Sequence, residues 1–229
     1  MRRFIPLIII VILMVLAYIF GLHEYLSYET LKGHRATLKT LVDTHPILAP
    51  LLYIFVYMVS TALSIPGAIF LSLFGGFLFP QPYSTIFVVT GATLGAILIF
   101  LAARTALGEI LKERAGPLMQ KMRAGFHENA ANYLIFLRLV PIFPFWLVNL
   151  APAFFGVRLI TFAWTTFFGI IPGAFVFTQA GVGLGAILDA GEALSIDAIF
   201  NNQIKIALIA LGIFALLPIV IKKFRKKTT

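Results

Sequence analysis

The sequence predicts an all-α polytopic membrane protein with about four full transmembrane helices and two opposed, Pro/Gly-broken re-entrant hairpins. Of its 229 residues, 60% are hydrophobic and only 12% are charged, and the mean hydropathy is +0.99. Apolar runs of about 20 residues, the length that crosses ~30 Å of hydrocarbon, recur along the chain. These runs lack the alternating polarity of β-barrel strands. We therefore expect a single membrane domain over residues 1–229.

The first half of the chain begins with an apolar stretch at residues 4–22, directly after two arginines. This stretch exceeds a signal-peptide core and lacks a small-residue cleavage site, so we expect an uncleaved transmembrane helix. Residues 23–45 are polar and predict an amphipathic interfacial helix. Residues 47–79 are apolar, but prolines and glycines interrupt them and predict a broken helix. Residues 83–103 form an uninterrupted predicted span.

The second half has the same order of a broken segment followed by a span. A polar loop at residues 104–128 precedes an apolar segment at 132–156, which prolines interrupt. Residues 159–187 and 204–221 are predicted spans, and a basic tail follows the second of them. The sequence therefore predicts two broken segments, each preceding a full span.

The basic residues predict the orientation, because lysine and arginine next to spans stay on the cytoplasmic side. Most of the 18 basic residues lie at the N-terminus, in the 104–128 loop or in the tail. If these regions are all cytoplasmic, the four full spans account for every crossing of the membrane. Each broken segment then makes no net crossing. Each is then a re-entrant hairpin or a pair of short spans, as in an inverted repeat. Kinked spans without a transport role are the alternative.

Arg138 is the first candidate for a functional residue, because an ionised side chain inside a membrane segment is costly. Its guanidinium suits a phosphate or a carboxylate. It could instead snorkel to lipid headgroups or bind the carbonyls that Pro141 and Pro144 leave free. Asn149 could cap a broken half-helix or contact a substrate headgroup.

Arg104 and Glu109 lie at the inner end of a predicted span, where we expect them to share a network with Arg138. Glu109 is the candidate titratable group, because desolvation by lipid would raise the pKa of its carboxyl group. The alternative is a solvated charge at a helix end. The chain has no cysteine, and its four histidines lack the spacing of metal ligands. Catalytic motifs are also missing, so we predict no enzyme activity, metal or cofactor.

Three glycine pairs have the i, i+4 spacing that places small residues on one side of a helix. They are Gly91 and Gly95, Gly169 and Gly173, and Gly181 and Gly185. Small residues let the backbones of membrane helices approach closely. We therefore predict close helix packing at these positions.

Four stretches have a recognisable pattern, namely SIPGAIFLSLFGGFLFP, GATLGAILIFLAAR, FLRLVPIFPFWLVNLAPAFFGV and FFGIIPGAFVFTQAGVG. They resemble the DedA-like, or SNARE-associated (VTT-domain), membrane protein superfamily. The likeness looks closest to the branch of Tvp-type Golgi proteins and their bacterial relatives. It covers about residues 45–190, the expected core. Its most specific part comprises Arg138, Pro141, Pro144, Asn149 and Gly156.

The resemblance implies two opposed re-entrant hairpins and a role in moving lipids across the bilayer. Arg138 matches the family's hairpin arginine, Pro66 and Gly67 match the turn of the first hairpin, and Arg104 matches the basic residue ending the next span. Relatives with acidic residues near the first hairpin are thought to use the proton motive force. Residues 46–103 contain no Asp or Glu, so energy-independent scrambling, or coupling through Glu109 alone, fits this chain better.

We therefore predict a transporter or scramblase that moves phosphate-bearing lipids, either phospholipid or polyprenyl phosphate, between leaflets. A small-solute or ion transporter and a non-catalytic membrane scaffold or assembly factor are the alternatives. The expected partners are membrane lipids with anionic headgroups, and a homo-oligomer is left open. Nucleic acid is not expected, because the basic clusters are not interleaved with aromatic residues. The expected location is a bacterial plasma (inner) membrane, with both termini cytoplasmic.

Overall fold

The computed structural model describes residues 28–65, 67–104, 122, 125–126, 129–140, 144–190, 205 and 209. All regular secondary structure in this part of the chain is α-helical, which confirms the predicted class. The helices are α1 (Tyr28–Thr44), α2 (Leu48–Ala62), α3 (Ala68–Leu78), α4 (Tyr83–Ala103), α5 (Phe145–Phe154) and α6 (Leu159–Ala190). Residues 129–139 are helical as well.

The chain divides into two compact units, Met1–Thr44 and His45–Thr229. The described part of the first unit is α1, which confirms a helix in the polar stretch after the first predicted span. The hydroxyl groups of Thr40 and Thr44 in α1 donate to backbone carbonyls one turn earlier. The predicted spans at 4–22 and 204–221 lie outside the described residues, except for Lys205 and Ile209.

Two described helices of the second unit, α4 with 21 residues and α6 with 32, are long and apolar enough to cross a membrane. These helices identify the chain as an integral membrane protein. The helices α3 and α5 are also apolar but have only 11 and 10 residues, too few to cross about 30 Å of hydrocarbon. The predicted total of four spans stays a prediction.

The first broken segment consists of α2 and α3, which run antiparallel to each other. The Tyr53 hydroxyl donates to the Leu71 carbonyl at 2.8 Å, and the Tyr57 hydroxyl lies 3.1 Å from the Ser72 hydroxyl and 3.3 Å from the Ala68 carbonyl. The Tyr53 ring also lies 5.4 Å from the ring of Phe79, directly after α3, whereas Tyr57 contacts only the first half of α3 among these bonds. The earlier tyrosine thus reaches the later end of α3, as an antiparallel pair requires. The predicted break at residues 47–79 is therefore a helical hairpin.

The α4 helix packs against α2 through its glycine pair. A side-chain carbon added at Gly91 would lie 2.9 Å from the carbonyl oxygen of Ile54, and one added at Gly95 would overlap the carbonyl oxygen of Met58. Both glycines are buried. Backbone approaches this close require glycine, so the packing role predicted for this pair is confirmed.

The α6 helix approaches α3 just as closely. A side-chain carbon added at Gly76 would overlap the Thr178 carbonyl oxygen, and one added at Gly181 would overlap the Leu73 carbonyl oxygen. For Gly173, on the same helix as Gly181, no described residue of another helix lies within 4 Å of that added carbon. Close packing is therefore confirmed at Gly181 but not at Gly173.

The second broken segment is also an antiparallel helical pair, formed by residues 129–139 and α5. Arg138 bonds to Asn149 near the break, while Phe126 stacks on Phe155 at the far end with ring centroids 4.9 Å apart. The second helix of this pair starts after Pro144, which occupies the N-cap position of α5. Pro141 lies outside the described residues.

The α4 and α6 helices run antiparallel and join the two hairpins. The rings of Phe100 and Phe162 stack at 4.5 Å near one end, and the Thr85 and Thr178 hydroxyls lie 2.9 Å apart near the other. Phe100 and Phe162 are fully buried in a hydrophobic core that the second hairpin completes. This core holds the segment that carries Arg138.

Candidate functional site

Arg138 joins three helical elements through its guanidinium. Its Nη2 atom donates to Asn149 Oδ1 of α5 at 2.8 Å and to Thr166 Oγ1 of α6 at 2.9 Å. The Cζ atom lies 5.5 Å from the ring centroid of Phe162, within cation–π range. The arginine is thus held in one position between the second hairpin and the long span.

Gly169 makes room for the Arg138 side chain. A side-chain carbon added at Gly169 would lie 2.9 Å from Arg138 Cβ and 3.1 Å from its Cγ. Any larger residue would push the aliphatic part of the arginine away from α6. The glycine predicted for helix packing therefore also seats the candidate functional side chain.

The charge of Arg138 is not neutralised by any acidic side chain in the described part of the chain. Its two hydrogen-bond acceptors, Asn149 and Thr166, are both neutral. Arg138 Nε and Asn149 Nδ2 are buried donors, and neither has an acceptor among the described residues. Buried donors are nearly always satisfied in proteins. A positive charge with two further donors beside it is suited to an anionic oxygen.

Asn149 is placed differently from a helix cap. It lies inside α5, its side chain is fully buried, and its oxygen accepts from Arg138. The two alternatives from the sequence were a cap and a headgroup contact. The structure contradicts the cap and makes Asn149 a partner of Arg138. The headgroup contact stays a prediction, and the amide nitrogen is left as a donor for it.

Arg104 contacts the end of the second hairpin and does not bond to the partners of Arg138. Its Nη2 atom donates to the Val157 carbonyl, and its Cζ atom lies 4.6 Å from the ring centroid of Phe100. Phe100 stacks on Phe162, the ring that Arg138 approaches. Within the described residues, the two arginines are therefore connected through this pair of aromatic rings and not through a shared hydrogen-bond acceptor. Glu109 lies outside the described residues.

Gly156 forms the turn between α5 and α6. Its φ angle is +71°, a conformation that L side chains rarely adopt and glycine adopts freely. The following amide, that of Val157, donates to the Pro152 carbonyl at 3.0 Å and closes the turn. In the first hairpin, Gly67 has a φ angle of +157° directly before α3. Its neighbour Pro66 lies outside the described residues.

The structure adds functional candidates that sequence reasoning missed, namely Thr166 and Phe162 beside Arg138. Both lie in a predicted span, and neither belongs to a recognisable motif. A second polar cluster, consisting of Gln81, Thr85 and Thr178, was also missed. Gln81 Nε2 donates to Thr178 Oγ1 at 2.7 Å, and Thr85 Oγ1 donates to Gln81 Oε1 at 2.7 Å. The only available signal was the presence of hydroxyl residues in otherwise apolar spans.

Replacing Thr178 with valine should lower the free energy of unfolding by about 1–3 kcal/mol, because the Gln81 amide then loses its acceptor inside the protein. The measurement is thermal unfolding of the purified protein in detergent. The matched control is Thr165→Val on the same helix, since among the described residues the Thr165 hydroxyl bonds only to carbonyls of its own helix. Equal unfolding temperatures for the two variants would contradict a stabilising role of this cluster.

The VTT domain family matches residues 65–183, more than half of the chain. This match contains Arg104, Arg138, Asn149 and Gly156. The chain belongs to the VTT-domain family. The DedA-like, SNARE-associated resemblance is thereby confirmed at the level of the superfamily. Its nearer likeness to the Tvp-type branch stays a prediction.

Individual relatives support this membership. The chain is 33% identical to transmembrane protein 41B of Homo sapiens over 189 residues, which is 81% of this chain and 62% of the human protein. It is 34% identical to the Danio rerio protein of the same name over 203 residues, covering 87% of this chain and 68% of the relative. The chain therefore spans less than two thirds of the human relative's length. No solved structure matches.

Proposed function

We propose that this VTT-domain protein moves phosphate-bearing lipids between the leaflets of a membrane, and that Arg138 holds the headgroup. The observation that carries this proposal is the arginine itself. Its guanidinium bonds only to the neutral groups of Asn149 and Thr166, within the described residues, and two buried donors lie beside it. Placing a charged side chain in a membrane segment costs free energy, so charges that are found there usually have a functional role. A phosphate monoester or diester would supply the missing negative charge and the missing acceptors.

The packing of the two hairpins supports a polar route through the membrane. The first helix of each hairpin packs on the span that follows it: α2 on α4, and residues 129–139 on α6. The second helix packs on the other span: α3 on α6, and α5 on α4. Because α4 and α6 are antiparallel, the two halves run in opposite directions. This is the contact pattern of an inverted repeat, so we propose that the hairpins re-enter from opposite faces.

The proposed transport runs without an energy source. Residues 46–103, which include the whole first hairpin, contain no Asp or Glu to carry protons. A lipid would then move down its own concentration gradient in either direction. The basic loops and termini support an orientation with both termini on the cytoplasmic side. The proposed location is a bacterial plasma membrane. The proposed partners are lipids with anionic headgroups.

The test is leaflet exchange in liposomes that contain the purified protein. Fluorescent phospholipid and fluorescent polyprenyl phosphate are followed separately, with and without a proton gradient. We expect exchange of at least one of these lipids and the same rate in both conditions. Protein-free liposomes give the background rate. A rate that rises severalfold with the gradient would contradict energy-independent movement, and no exchange of any lipid would overturn the proposed function.

A further inference from the structure

Thr93 lies in the middle of α4, and its buried hydroxyl has no hydrogen-bond partner among the described residues. The side chain is only 7% exposed. A threonine hydroxyl inside a helix often donates to the carbonyl one turn earlier, as those of Thr165 and Thr178 do in α6. Leaving a buried polar group unpaired costs free energy. The Thr93 hydroxyl therefore does not stabilise the fold through any contact with these residues.

The packing of α4 against α6 places Thr93 level with the Arg138 site, meaning the guanidinium and its two acceptors. The two helices are antiparallel, and the rings of Phe100 and Phe162 stack on each other. Seven residues back from Phe100 is Thr93, and seven residues on from Phe162 is Gly169. The hydroxyl contact at the other end of these helices gives the same register to within one residue. Thr93 is therefore level with Gly169, the residue that seats the arginine.

Thr93 also lies on the face of α4 that points toward the second hairpin. Seven residues make about two helical turns, so Thr93 and Phe100 are on the same side of α4. Phe100 is fully buried in the core that contains Leu147 of α5. On α6, an added side-chain carbon at Gly169 would meet Arg138 Cβ. The Thr93 side chain is thus on the side of α4 where α5, α6 and the arginine come together.

Unsatisfied polar groups from three helical elements therefore lie in one region. They are Arg138 Nε, Asn149 Nδ2 and the Thr93 hydroxyl, all buried and without a partner among the described residues. Arg138 and Asn149 bond directly to each other at 2.8 Å. The two nitrogens are donors, and the hydroxyl can donate as well. Several donors in one place suit an oxyanion, which presents more than one oxygen to them.

We propose that Thr93 is a third residue of the Arg138 site, and that its hydroxyl donates to a second oxygen of the oxyanion that Arg138 holds. This inference rests on the proposed function, which supplies the oxyanion. Arg138 and Asn149 both belong to the second hairpin, whereas Thr93 belongs to the span on which the first hairpin packs through Gly91 and Gly95. The site is then shared between the two halves of the chain.

Replacing Thr93 with valine removes the hydroxyl and keeps the shape of the side chain. We expect lipid exchange in liposomes to become about fivefold slower, the effect of one lost hydrogen bond. The unfolding temperature in detergent should stay the same or rise, because an unpaired buried hydroxyl is removed. Thr93→Ser keeps the hydroxyl and should exchange lipid at no less than about half the wild-type rate. If Thr93→Val does not fold, Thr93→Ala takes its place.

The matched control is Ser84→Ala, which removes another buried, unpartnered hydroxyl from the described part of α4. Ser84 lies about 14 Å from Thr93 along the helix axis. This variant should also keep its unfolding temperature, and it should exchange lipid at the wild-type rate. Equal exchange by Thr93→Val and Ser84→Ala would overturn the proposal. So would an unfolding temperature that falls with valine and returns with serine, because the hydroxyl would then be bonded inside the protein.

A second measurement separates this proposal from the proposed function. The unfolding temperature of the full chain is followed as inorganic phosphate replaces chloride at constant ionic strength. We expect phosphate to stabilise the wild-type protein, Arg138→Gln to abolish this effect, and Thr93→Val to require an about fivefold higher phosphate concentration.

These phosphate results in a protein that exchanges no lipid would support Thr93 and contradict the proposed function. Wild-type lipid exchange, with neither exchange nor the phosphate effect changed in Thr93→Val, would do the reverse. A wild-type protein that neither exchanges lipid nor responds to phosphate would overturn both.

Discussion

Replacing Arg138 with glutamine should lower the rate of lipid exchange in liposomes at least about tenfold, because a lost charge-assisted bond to phosphate costs roughly 1.5–3 kcal/mol. Glutamine is shorter than arginine, so the substitution removes the charge together with the two bonds that Nη2 donates to Asn149 and Thr166. It keeps a polar side chain of similar width between the helices. The measurement is exchange of the fluorescent lipid that wild-type protein transports best.

Two controls separate charge from folding in this experiment. The unfolding temperature of each purified variant is measured in detergent, so that a loss of structure is recognised. Lys39→Gln removes one positive charge at an exposed position of α1 and should exchange lipid at the wild-type rate. A well-folded Arg138→Gln protein with unchanged exchange would contradict the role assigned to the arginine.

The second large effect is expected for Gly181→Ala, which should lower the free energy of unfolding by about 3 kcal/mol or more. The added methyl group would overlap the carbonyl oxygen of Leu73 and lie 2.9 Å from the amide nitrogen of Phe77. Both are backbone atoms of α3, so α3 and α6 would have to separate. Thermal unfolding of the purified protein in detergent measures this effect.

Gly173→Ala is the matched control, with the same substitution on the same helix. The added carbon at Gly173 meets no atom of another helix within 4 Å in the part of the chain that the structure describes. Alanine also has the higher helix propensity, so we expect unchanged stability or a gain of up to about 1 kcal/mol. If both variants unfold at the same temperature, the close approach of α3 and α6 does not stabilise this fold.

The two effects concern different parts of one arrangement. Gly181 sets the distance between α6 and the first hairpin, whereas Gly169 on the same helix receives the Arg138 side chain from the second hairpin. The long span therefore contacts both hairpins through glycines. A change in the angle of α6 against the first hairpin would move Thr166 relative to Arg138. The α6 helix is therefore the element that couples the two hairpins.

Much of the architecture follows from the sequence, because the hydrophobic and helix-breaking residues act locally. The apolar runs predicted the spans that α4 and α6 form. The prolines and glycines in residues 47–79 and 132–156 predicted the breaks, since they disrupt helices wherever the chain places them. Arg138 could be singled out for a similar reason, since a charge inside an apolar segment is unusual without knowledge of its neighbours.

The partners of these residues could not be predicted in the same way. Arg104 and Glu109 were expected beside Arg138 because the sequence predicted all three at the same membrane face. The structure directs Arg104 to the Val157 carbonyl instead. A guanidinium on a long side chain has many acceptors within reach, and sequence position alone does not choose among them.

The sequence by itself determined that this is a helical membrane protein, where its helices break and which charge lies within an apolar segment. Those features depend on composition and on short-range chemistry. Only the tertiary structure decided that Asn149 and Thr166 receive the Arg138 guanidinium, and that Gly181 of α6 meets the backbone of Leu73 in α3. These contacts join residues from separate helices, and they depend on helix positions that packing, and no local pattern, sets.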